Sequence, residues 1–521
     1  MNSISNPGYF AASIGLSSSF MKKKELLLSL FILLIVCHSY LLTGQEIQTP
    51  LEKKEFSRPT TYQEICDFTG LLSQYSPSVK VDIAGKTVEG RNIYALQFSG
   101  SVFGSDAGKL RILIFAQQHG NEQSGKEAAL LLARDLLKPA NAYLLDRLDI
   151  LIIPQVNPDG SEGNKRRNGN QADLNRNHLI LTEPEVIAIH RLFDQYLFDV
   201  TLDVHEYYPF GESWKNFGYR NNSDVLLGVA TNINVSSKLR DLSKNDYFPY
   251  MMDYLQKHEV SGFVYSPGGP PGEGYTRQST FDINDGRQSF AIQNSFSFIQ
   301  EGMNGKDVFA DNLKRRALSQ ETGMRGLLEY AWIHAAEIKK TVAGERKQLI
   351  SGSPDKVAIQ CAHTPDGTVL HLPVNSYASG RDTTIEISDY RPVVKSILDV
   401  AKPSGYLIPK NMLLLMDWAT RVGFVYGELP KHADIEQYKV VSIDSIDFEG
   451  DIVVNAQVQS TLLQEEIRTT DYLYLPTNQL KGNLLVIALE PRSMLGLVTY
   501  PLGSGLLRKG EDYPILRVVK K

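Results

Sequence analysis

The stretch Gln117-Gln118-His119-Gly120-Asn121-Glu122 lies between two segments whose patterns decide the fold. The segment before it, residues 110–115, is almost entirely apolar, which is typical of a buried parallel strand. In the segment after it, residues 123–137, Ala and Leu recur at helical spacing. A histidine and a glutamate therefore stand where a strand turns into a helix. In open α/β sheets, ligands bind at this edge, outside the carboxyl ends of the strands.

Polar side chains also follow two further predicted strands. His205 comes directly after residues 198–204, and Glu301 comes directly after residues 295–300. Because parallel strands end at the same edge of such a sheet, these side chains can converge with those of the first turn. Two histidines and one glutamate form a known catalytic zinc set that leaves one position for water. A carboxylate near that water can take its proton, and Glu301 is the candidate general base.

The loop of residues 164–177 is rich in guanidinium and amide groups. Arg166 lies near its beginning, and Arg176 lies near its end. A guanidinium group matches a carboxylate with two parallel hydrogen bonds. The loop therefore suits a substrate with a free carboxylate and helps to place the scissile bond over the metal.

The length of 521 residues predicts two or three domains, and the composition is that of a globular protein. Strands that alternate with helices over residues 58–343 predict a doubly wound α/β domain with a mixed sheet and flanking helices. Residues 344–521 contain short runs rich in Val, Ile, Leu and Tyr, which predict a mostly β, sandwich-like domain. One of its predicted strands covers residues 484–489, and a helix is predicted over residues 409–423.

Boundary signals predict three helices of the first domain. The first covers residues 60–75, with Pro59 at its start. The second is preceded by Thr182 as N-cap, and Glu185 completes a capping box. The third is a long helix that begins at residue 313 and ends near residue 341.

The N-terminal part is predicted to precede the folded domains. Residues 1–44 are an N-terminal extension and signal peptide, in which a basic start at Met21 precedes an apolar core over residues 26–36. This core is shorter than the ~20 residues that span a bilayer, which favours a cleaved signal over an uncleaved anchor. Residues 45–57 are a linker. The sequence thus predicts a bacterial protein exported to the periplasm or the exterior, with the membrane contacted only through the signal segment.

Charge and cysteine content exclude some classes of function. The net charge of -5 argues against a nucleic-acid partner, for which a basic patch is expected. The cysteines are Cys37, Cys66 and Cys361, and a mature chain would keep the last two. These are too few and too far apart to predict a disulfide framework or a cysteine-based metal site.

Residues 58–340 resemble the zinc carboxypeptidase family typified by the pancreatic carboxypeptidases A and B. The matching pieces are His119-Gly120-Asn121-Glu122, Asn157-Pro158-Asp159-Gly160, Arg166-x-Asn168, Asp173-Leu174-Asn175-Arg176-Asn177, Thr182-Glu183-Pro184-Glu185, Asp203-Val204-His205-Glu206 and Phe298-Ile299-Gln300-Glu301. The roles that the resemblance implies are ligation of one zinc ion by His119, Glu122 and His205, binding of the terminal carboxylate by Asn175 and Arg176, oxyanion stabilisation by Arg166 and general base catalysis by Glu301.

Some positions leave alternatives open. Arg167 stands beside Arg166 and is the alternative oxyanion donor. Tyr275 is a candidate for the tyrosine that caps the substrate in that family. The Phe-x-Phe pattern of the pancreatic enzymes is present as Phe296-Ser297-Phe298, but Glu301 lies three residues beyond it, a spacing that resembles bacterial members.

Other polar residues near these motifs are expected to have structural roles. Asp203 either orients a metal ligand or forms a structural ion pair. The remaining assignments are a turn for Asp159 and Gly160, an auxiliary or solvated carboxylate for Glu206, surface or packing positions for His178 and His190, and a structural ion pair for Arg287.

These observations favour an exported, zinc-dependent carboxypeptidase that hydrolyses an amide bond next to a free carboxylate. Its substrates are predicted to be peptides or the stem peptides of a bacterial cell wall. A zinc amidase or deacylase acting on a carboxylate-bearing small molecule is the second interpretation. A non-catalytic binding protein on the same fold is the third.

Overall fold

The strands predicted in the first domain are present, and most of them join one sheet. The structure is a computed structural model that describes residues 47–464 and 467–519. The strands of this part of the chain are β1 Val79–Lys86, β2 Asn92–Phe98, β3 Leu110–Ala116, β4 Leu148–Ile153, β5 Val200–Tyr207, β6 Tyr219–Asn221, β7 Val225–Val229, β8 Gly262–Val264, β9 Thr276–Arg277 and β10 Phe296–Met303. Within the described residues, eight strands pair in the order β1-β2-β4-β3-β5-β10-β7-β8.

The strands that precede the candidate site run parallel to one another. β3 pairs with β4 and β5, and β5 pairs with β10, all in parallel orientation. β2 and β7 run antiparallel to β4 and β10, so the sheet is mixed, as predicted. β3, β5 and β10 are almost wholly buried, and their carboxyl ends lie at one edge of the sheet.

Helices flank the sheet, which confirms the predicted α/β architecture. They are α1 Pro50–Lys53, α2 Tyr62–Tyr75, α3 Gln123–Asp135, α4 Leu144–Arg147, α5 Pro158–Glu162, α6 Pro184–Tyr196, α7 Glu212–Phe217, α8 Ser237–Leu242, α9 Phe248–Lys257, α10 Gly286–Ala291, α11 Leu313–Ile333 and α12 Ala335–Ile350. Short 3-10 turns cover Pro139–Asn141 and Leu174–Arg176, and a π-helical turn covers Ser243–Tyr247.

Two predicted helices have different boundaries in the structure. α2 begins after Thr61, because the Thr61 side chain accepts from the backbone amide of Glu64 and the Glu64 carboxylate accepts from that of Thr61. This capping box, and not Pro59, sets the start of the helix. The long helix predicted from residue 313 is divided at His334, whose dihedral angles are not helical, into α11 and α12.

The capping box predicted from Thr182 and Glu185 is wrong. The N-cap of α6 is Glu183, which makes no side-chain hydrogen bond to the helix. The Glu185 carboxylate instead accepts from the backbone amide of Val88 at 3.2 Å and from the Asn168 side chain at 3.1 Å. It joins two loops to the helix, and that long-range pairing outweighs the local pattern.

The rest of the described chain is mostly β, as predicted. Its strands are β11 Lys356–Thr364, β12 Leu370–Ser376, β13 Asp382–Ile387, β14 Tyr390–Arg391, β15 Val393–Ala401, β16 Gly405–Pro409, β17 Asp434–Phe448, β18 Asp451–Leu462, β19 Tyr472–Pro476 and β20 Leu516–Val519. β18, β17, β20, β16 and β19 form a five-stranded sheet in that order. The helices are α13 Leu413–Val422, within the predicted 409–423, and α14 Gly482–Leu489.

The strand predicted over residues 484–489 is wrong, because this segment lies in α14. All eight residues of α14 are buried. A segment that is apolar on every side shows no periodicity that would separate a buried helix from a buried strand.

The β-rich region and the first domain are joined by strand pairing and by a common hydrophobic core. β12 pairs with β6, and β14 pairs with β9. One hydrophobic core contains residues of both regions, such as Phe290 and Phe193 from the first and Trp418 and Leu485 from the second. The Trp418 indole donates to the backbone carbonyl of Leu179 at 2.9 Å. The boundary predicted at residue 343 stays a prediction.

The predicted signal peptide over residues 1–44 lies outside the described residues. Among the residues that the structure does describe, none of the helices is long and apolar enough to cross a membrane. Cys66 and Cys361 are both free thiols, the second buried in the core.

Candidate active site

The turn after β3 is held by a close approach of backbones. A Cβ atom on Gly120 would lie 2.2 Å from the carbonyl carbon of Gly160, so only glycine fits at this position. The Gly120 amide donates to the carbonyl of Arg166 at 3.1 Å. The turn predicted for Asp159 and Gly160 is wrong, because both residues lie in α5, whose N-cap is Asn157. The start of this helix thus lies against the first turn, and the loop that carries Arg166 is fixed beside it.

His119, Glu122 and His205 form a buried cluster. Their ligand atoms all lie within 4.8 Å of one another. The Nδ1 atoms of the two histidines are 3.1 Å apart. Each lies near a different oxygen of Glu122, at 2.7 Å for His119 and 2.9 Å for His205. Two imidazole nitrogens and a carboxylate therefore face one point.

Each histidine presents its other ring nitrogen to a carboxylate. Nε2 of His119 lies 3.0 Å from Oδ1 of Asp173, and Nε2 of His205 lies 2.8 Å from Oδ1 of Asp203. Gln118 donates to Asp203 at 2.9 Å and holds it in place. Such carboxylates keep the proton on the outer nitrogen and leave the inner one to bind a metal. This donor set fits Zn²⁺ with an open coordination position.

The charges of the cluster depend on one another. Burial opposes the charge of His205, but the carboxylates of Asp203 and Glu122 raise its pKa well above 6.5. Burial also opposes ionisation of Glu122, but the two histidines hold its pKa below the usual range. Removal of Glu122 would take one of its two carboxylate partners from the buried, charged His205, which is costly.

Glu301 stands beside His205 on the neighbouring strand. In the parallel pairing of β5 with β10, Glu301 is directly opposite His205. The side chain is buried, and burial raises the pKa of its carboxyl to about 7. The residue lies inside β10 and not after its end as predicted, because the strand continues to Met303. A carboxyl group with a pKa near neutrality can both accept and donate a proton at physiological pH.

The residues predicted to carry chemistry line one cavity of about 480 Å³. Its polar lining residues are His119, Asn121, Glu122, Arg166, Asn175, Arg176, His205, Glu206, Tyr207, Tyr208, Tyr265, Thr280, Asp285, Glu301 and Asn304. All seven predicted site residues are among them. Their roles remain predictions, but their convergence on one space is a finding.

The geometry distinguishes Arg166 from Arg167. The Arg166 guanidinium lies in the cavity lining, where it donates to Asp173 at 3.0 and 3.1 Å and lies 3.5 Å from Glu122. Arg167 is absent from that lining and donates instead to the backbone carbonyl of Gln171 at 2.9 Å. Of the two alternatives, only Arg166 faces the metal cluster.

Asn175 and Arg176 lie on the 3-10 turn that faces the sheet edge. The Asn175 amide oxygen accepts from the backbone amide of Gly286 at 2.7 Å, and its nitrogen lies 3.3 Å from Nε2 of His205. Burial lowers the pKa of the Arg176 guanidinium, but Asp282 and Asp173 raise it above its ordinary value, so the group stays charged. A permanent cation thus borders the cavity.

Glu206 and Arg287, which were expected to have structural roles, form buried ion pairs. Glu206 accepts from the Ser124 hydroxyl at 2.6 Å and pairs with Arg316 at 2.9 Å, fully buried. Arg287 pairs with Asp285 at 2.8 Å.

His178 and His190, expected to be surface or packing histidines, are buried packing residues. Nδ1 of His178 lies 3.0 Å from Nε2 of His190, and its Nε2 lies 2.8 Å from the amide oxygen of Gln118. Burial lowers the pKa of His178 to about 3, so its ring is neutral.

Sequence reasoning missed several residues of the site. Asp173 was named only as part of a motif, although its carboxylate contacts His119. Gln118 was named only as part of the opening stretch, although it holds the carboxylate that contacts His205. Tyr208 and Tyr265 were not identified, because no local pattern marks them. Tyr275 does not line the cavity; its ring lies under the guanidinium of Arg391, 4.0 Å from ring centroid to carbon.

Comparison with known proteins shows similarity to one enzyme class. A family described as zinc carboxypeptidase matches residues 65–247. Carboxypeptidase 2 of Trichophyton rubrum is 26% identical over 480 residues, which cover 89% of this chain and 87% of the relative. Carboxypeptidase D of Homo sapiens is 24% identical over 270 residues, which cover 45% of this chain and 19% of the relative.

Solved structures were also compared. A metallo-carboxypeptidase from Burkholderia cenocepacia has a TM-score of 0.41 and 19% identity, covering 52% of this chain and 70% of that one. A metallo-carboxypeptidase from Pseudomonas aeruginosa, in complex with (2-guanidinoethylmercapto)succinic acid, has a TM-score of 0.41 and 20% identity, covering 54% of this chain and 70% of that one.

Proposed function

We propose that this chain, whose residues 65–247 match the zinc carboxypeptidase family and which is similar to carboxypeptidases over most of its length, removes residues from the free carboxyl end of peptides by zinc-dependent hydrolysis. The observation that carries this proposal is the convergence of all seven predicted site residues on one cavity. His119, Glu122 and His205 would hold the metal. When bound, Zn²⁺ supplies Lewis acidity that polarises a carbonyl oxygen and activates water.

Glu301 is the proposed general base. It lies opposite His205 in the sheet, so its carboxylate is close to the metal cluster. Burial raises its pKa to about 7, which suits a group that takes a proton from the attacking water and then passes it to the leaving amine nitrogen. One carboxyl group can serve both steps because it is poised between its two protonation states.

Arg176 and Asn175 are the proposed anchor for the terminal carboxylate of the substrate. A charged guanidinium can bind a carboxylate with two hydrogen bonds, which fixes direction as well as position. Arg166 also lines the cavity, and its guanidinium lies 3.5 Å from Glu122 of the metal cluster. It is proposed to stabilise the negative charge that develops on the carbonyl oxygen during attack.

The substrates and the location of the protein follow from the same proposal. We infer that peptides with a free carboxyl end are the substrate class, and that the stem peptides of a bacterial cell wall are a candidate within it. The leader pattern of residues 1–44 supports export.

A pair of matched peptides tests the proposed function. The full-length protein loaded with zinc is incubated with a pentapeptide that has a free carboxyl end and with its amidated twin, and the products are identified by mass spectrometry. We expect stepwise loss of residues from the free acid only, abolished by a chelator. Release of internal fragments, or equal cleavage of both peptides, would refute it.

Variants of two arginines of the same loop, Arg176 and Arg167, sharpen the test. Arg176→Gln is expected to raise the KM for the free acid by about 10–100-fold, the value of a hydrogen bond to a charged group. Arg167→Gln is the control, since Arg167 lies on the same loop but outside the cavity lining. Equal effects of the two substitutions would contradict the anchoring role of Arg176.

A further inference from the structure

One wall of the cavity belongs to an irregular segment, residues 265–281, that we call the site loop. Tyr265 at its beginning and Thr280 near its end both line the cavity. The loop folds back on itself, because the Ser279 amide donates to the carbonyl of Tyr265 at 2.9 Å and the Arg277 amide donates to that of Pro267 at 3.0 Å. A displacement of its outer part would therefore move the wall of the cavity.

The outer part of the site loop is paired with the β-rich region. β9 and β14 run parallel, and the Thr276 amide donates to the carbonyl of Asp389 at 3.1 Å. The Gln278 amide donates to the carbonyl of Arg391 at 3.3 Å. The Arg391 guanidinium also stacks on the ring of Tyr275. The backbone of the loop is thus held by a strand that lies more than 100 residues further along the chain.

Glu449, in the turn between β17 and β18, adds a charged contact to this pairing. Its Oε1 atom lies 3.4 Å from Nε of Arg277 and 2.9 Å from Nε2 of His363. The Glu449 side chain is only 9% exposed and that of Arg277 only 17%, so water screens their attraction weakly. The ring of Phe281, at the end of the site loop, packs beside this contact. Its centroid lies 5.3 Å from that of His363 and 5.4 Å from that of Phe448, the residue before Glu449.

We propose that Glu449 is a positioning residue that sets the shape of the pocket for the last side chain of the substrate, acting through Arg277 and the site loop. The proposal rests on the proposed function, because it assumes that the terminal carboxylate binds Arg176 and that the scissile bond lies near Glu301. Tyr265 and Thr280 border the same cavity as those two residues. In this arrangement the side chain of the cleaved residue faces the wall that Tyr265 and Thr280 form.

In this proposal the β-rich region supports the wall of the substrate site from outside, since none of its described residues lies in the cavity lining. Glu449 thus acts through Arg277 and not by contact with the cavity. Its loss should loosen the wall and weaken binding of large terminal side chains, while the chemical step, which depends on the metal cluster and Glu301, continues at its normal rate.

The test uses the full-length zinc-loaded enzyme and two peptides that differ only in the last residue, leucine or glycine. Glu449→Gln is expected to raise the KM for the leucine peptide about tenfold, because small displacements of a positioning element have large kinetic effects. The kcat is expected to change less than about twofold, as is the KM for the glycine peptide, which has no side chain to meet the wall. Asp451→Asn, an exposed carboxylate on the same hairpin, is the matched control and should behave as the wild type.

A second variant separates positioning from general damage. Arg277→Gln removes the same contact from the side of the site loop and should reproduce the Glu449→Gln pattern. The double variant should bind the leucine peptide no more weakly than Glu449→Gln alone, because Arg277→Gln removes only a contact that the first substitution has already lost. If Glu449→Gln fails to fold, the leucine-to-glycine KM ratio of Arg277→Gln decides the question alone.

Other results would contradict either the role of Glu449 or the proposed function, and the two cases can be told apart. An unchanged KM for the leucine peptide, equal rises for both peptides, or multiplying effects in the double variant would overturn the role of Glu449 alone. Wild-type enzyme that releases no terminal residue from either peptide would refute the proposed function, and this inference with it.

Discussion

Asp203→Asn tests how strongly the sheet supports the metal cluster. Asp203 is fully buried on β5, and its Oδ1 atom lies 2.8 Å from Nε2 of His205. Gln118 donates to both carboxylate oxygens, at 2.9 and 3.0 Å. Asparagine keeps the size of the side chain but replaces one acceptor oxygen by a donor. That NH₂ group must then face either the Gln118 amide or the His205 ring, both of which are donors.

The expected loss can be estimated from these contacts. Removal of a carboxylate that orients a metal-bound histidine lowers metal affinity about 10–100-fold. This corresponds to about 1.4–2.7 kcal/mol. We expect the upper end, because the buried site admits no water to replace the lost acceptor and the new donor has no partner. Asp173→Asn should cost less, since the Asp173 side chain is 16% exposed and water can partly replace it.

Competition with a chromogenic zinc chelator measures the affinity directly, and thermal unfolding of the metal-free protein measures stability separately. Asp199→Asn is the control. Asp199 is a buried carboxylate at the opposite end of β5, near Lys339 at 3.3 Å, and its loss should affect stability without affecting zinc. A zinc affinity of Asp203→Asn within about twofold of the wild type would refute the supporting role that we assign to this carboxylate.

Three further predictions concern the base, its protonation and the packing beneath it. Glu301→Gln should retain zinc but lose about 10²–10⁴-fold in kcat, measured with the free-acid pentapeptide, because a neutral amide accepts no proton; wild-type turnover would place the base elsewhere. The pKa of Glu301 is raised to about 7 by burial, and a bound dication beside it lowers that value, so kcat/KM should fall with acidification below a midpoint at or under pH 7. A rate that rises from pH 7 to pH 5 would exclude an ionised Glu301 as the base. Gly323→Ala would place a Cβ atom 2.1 Å from the buried amide oxygen of Gln300, and calorimetry should show a loss of about 1–3 kcal/mol. Gly344→Ala in α12, which meets no atom within 4 Å, should instead stabilise by up to about 1 kcal/mol, and equal effects would contradict the packing argument.

Local patterns were sufficient for three elements at the centre of the first domain. The strand before His119, the helix after Glu122 and the strand that carries His205 are all present near the predicted positions. The errors occurred where local and distant contacts compete. Glu185 has the spacing of a capping residue, but its carboxylate binds Val88 and Asn168 instead.

Residues 484–489 show that complete burial also limits what a sequence pattern can predict. This apolar run is enclosed on every side, and no periodic pattern in it could reveal a helix. Tyr265 and Glu449 were beyond sequence reasoning for a related reason. They reach the site or its wall through pairings between distant segments, and nothing in their immediate neighbours marks them.

The sequence by itself determined the kinds of groups at the site and the strand ends that carry them, because residue type and hydrophobic period are local properties. The tertiary structure alone decided which groups meet. The register of β10 on β5 places Glu301 opposite His205, and a shift by one residue would turn it to the other face of the sheet. The pairing of β14 with β9 likewise joins a distant β-rich region to the segment whose ends, Tyr265 and Thr280, line the cavity. Register and docking are set by hydrogen bonds and packing summed over the whole sheet, which no short stretch of sequence contains.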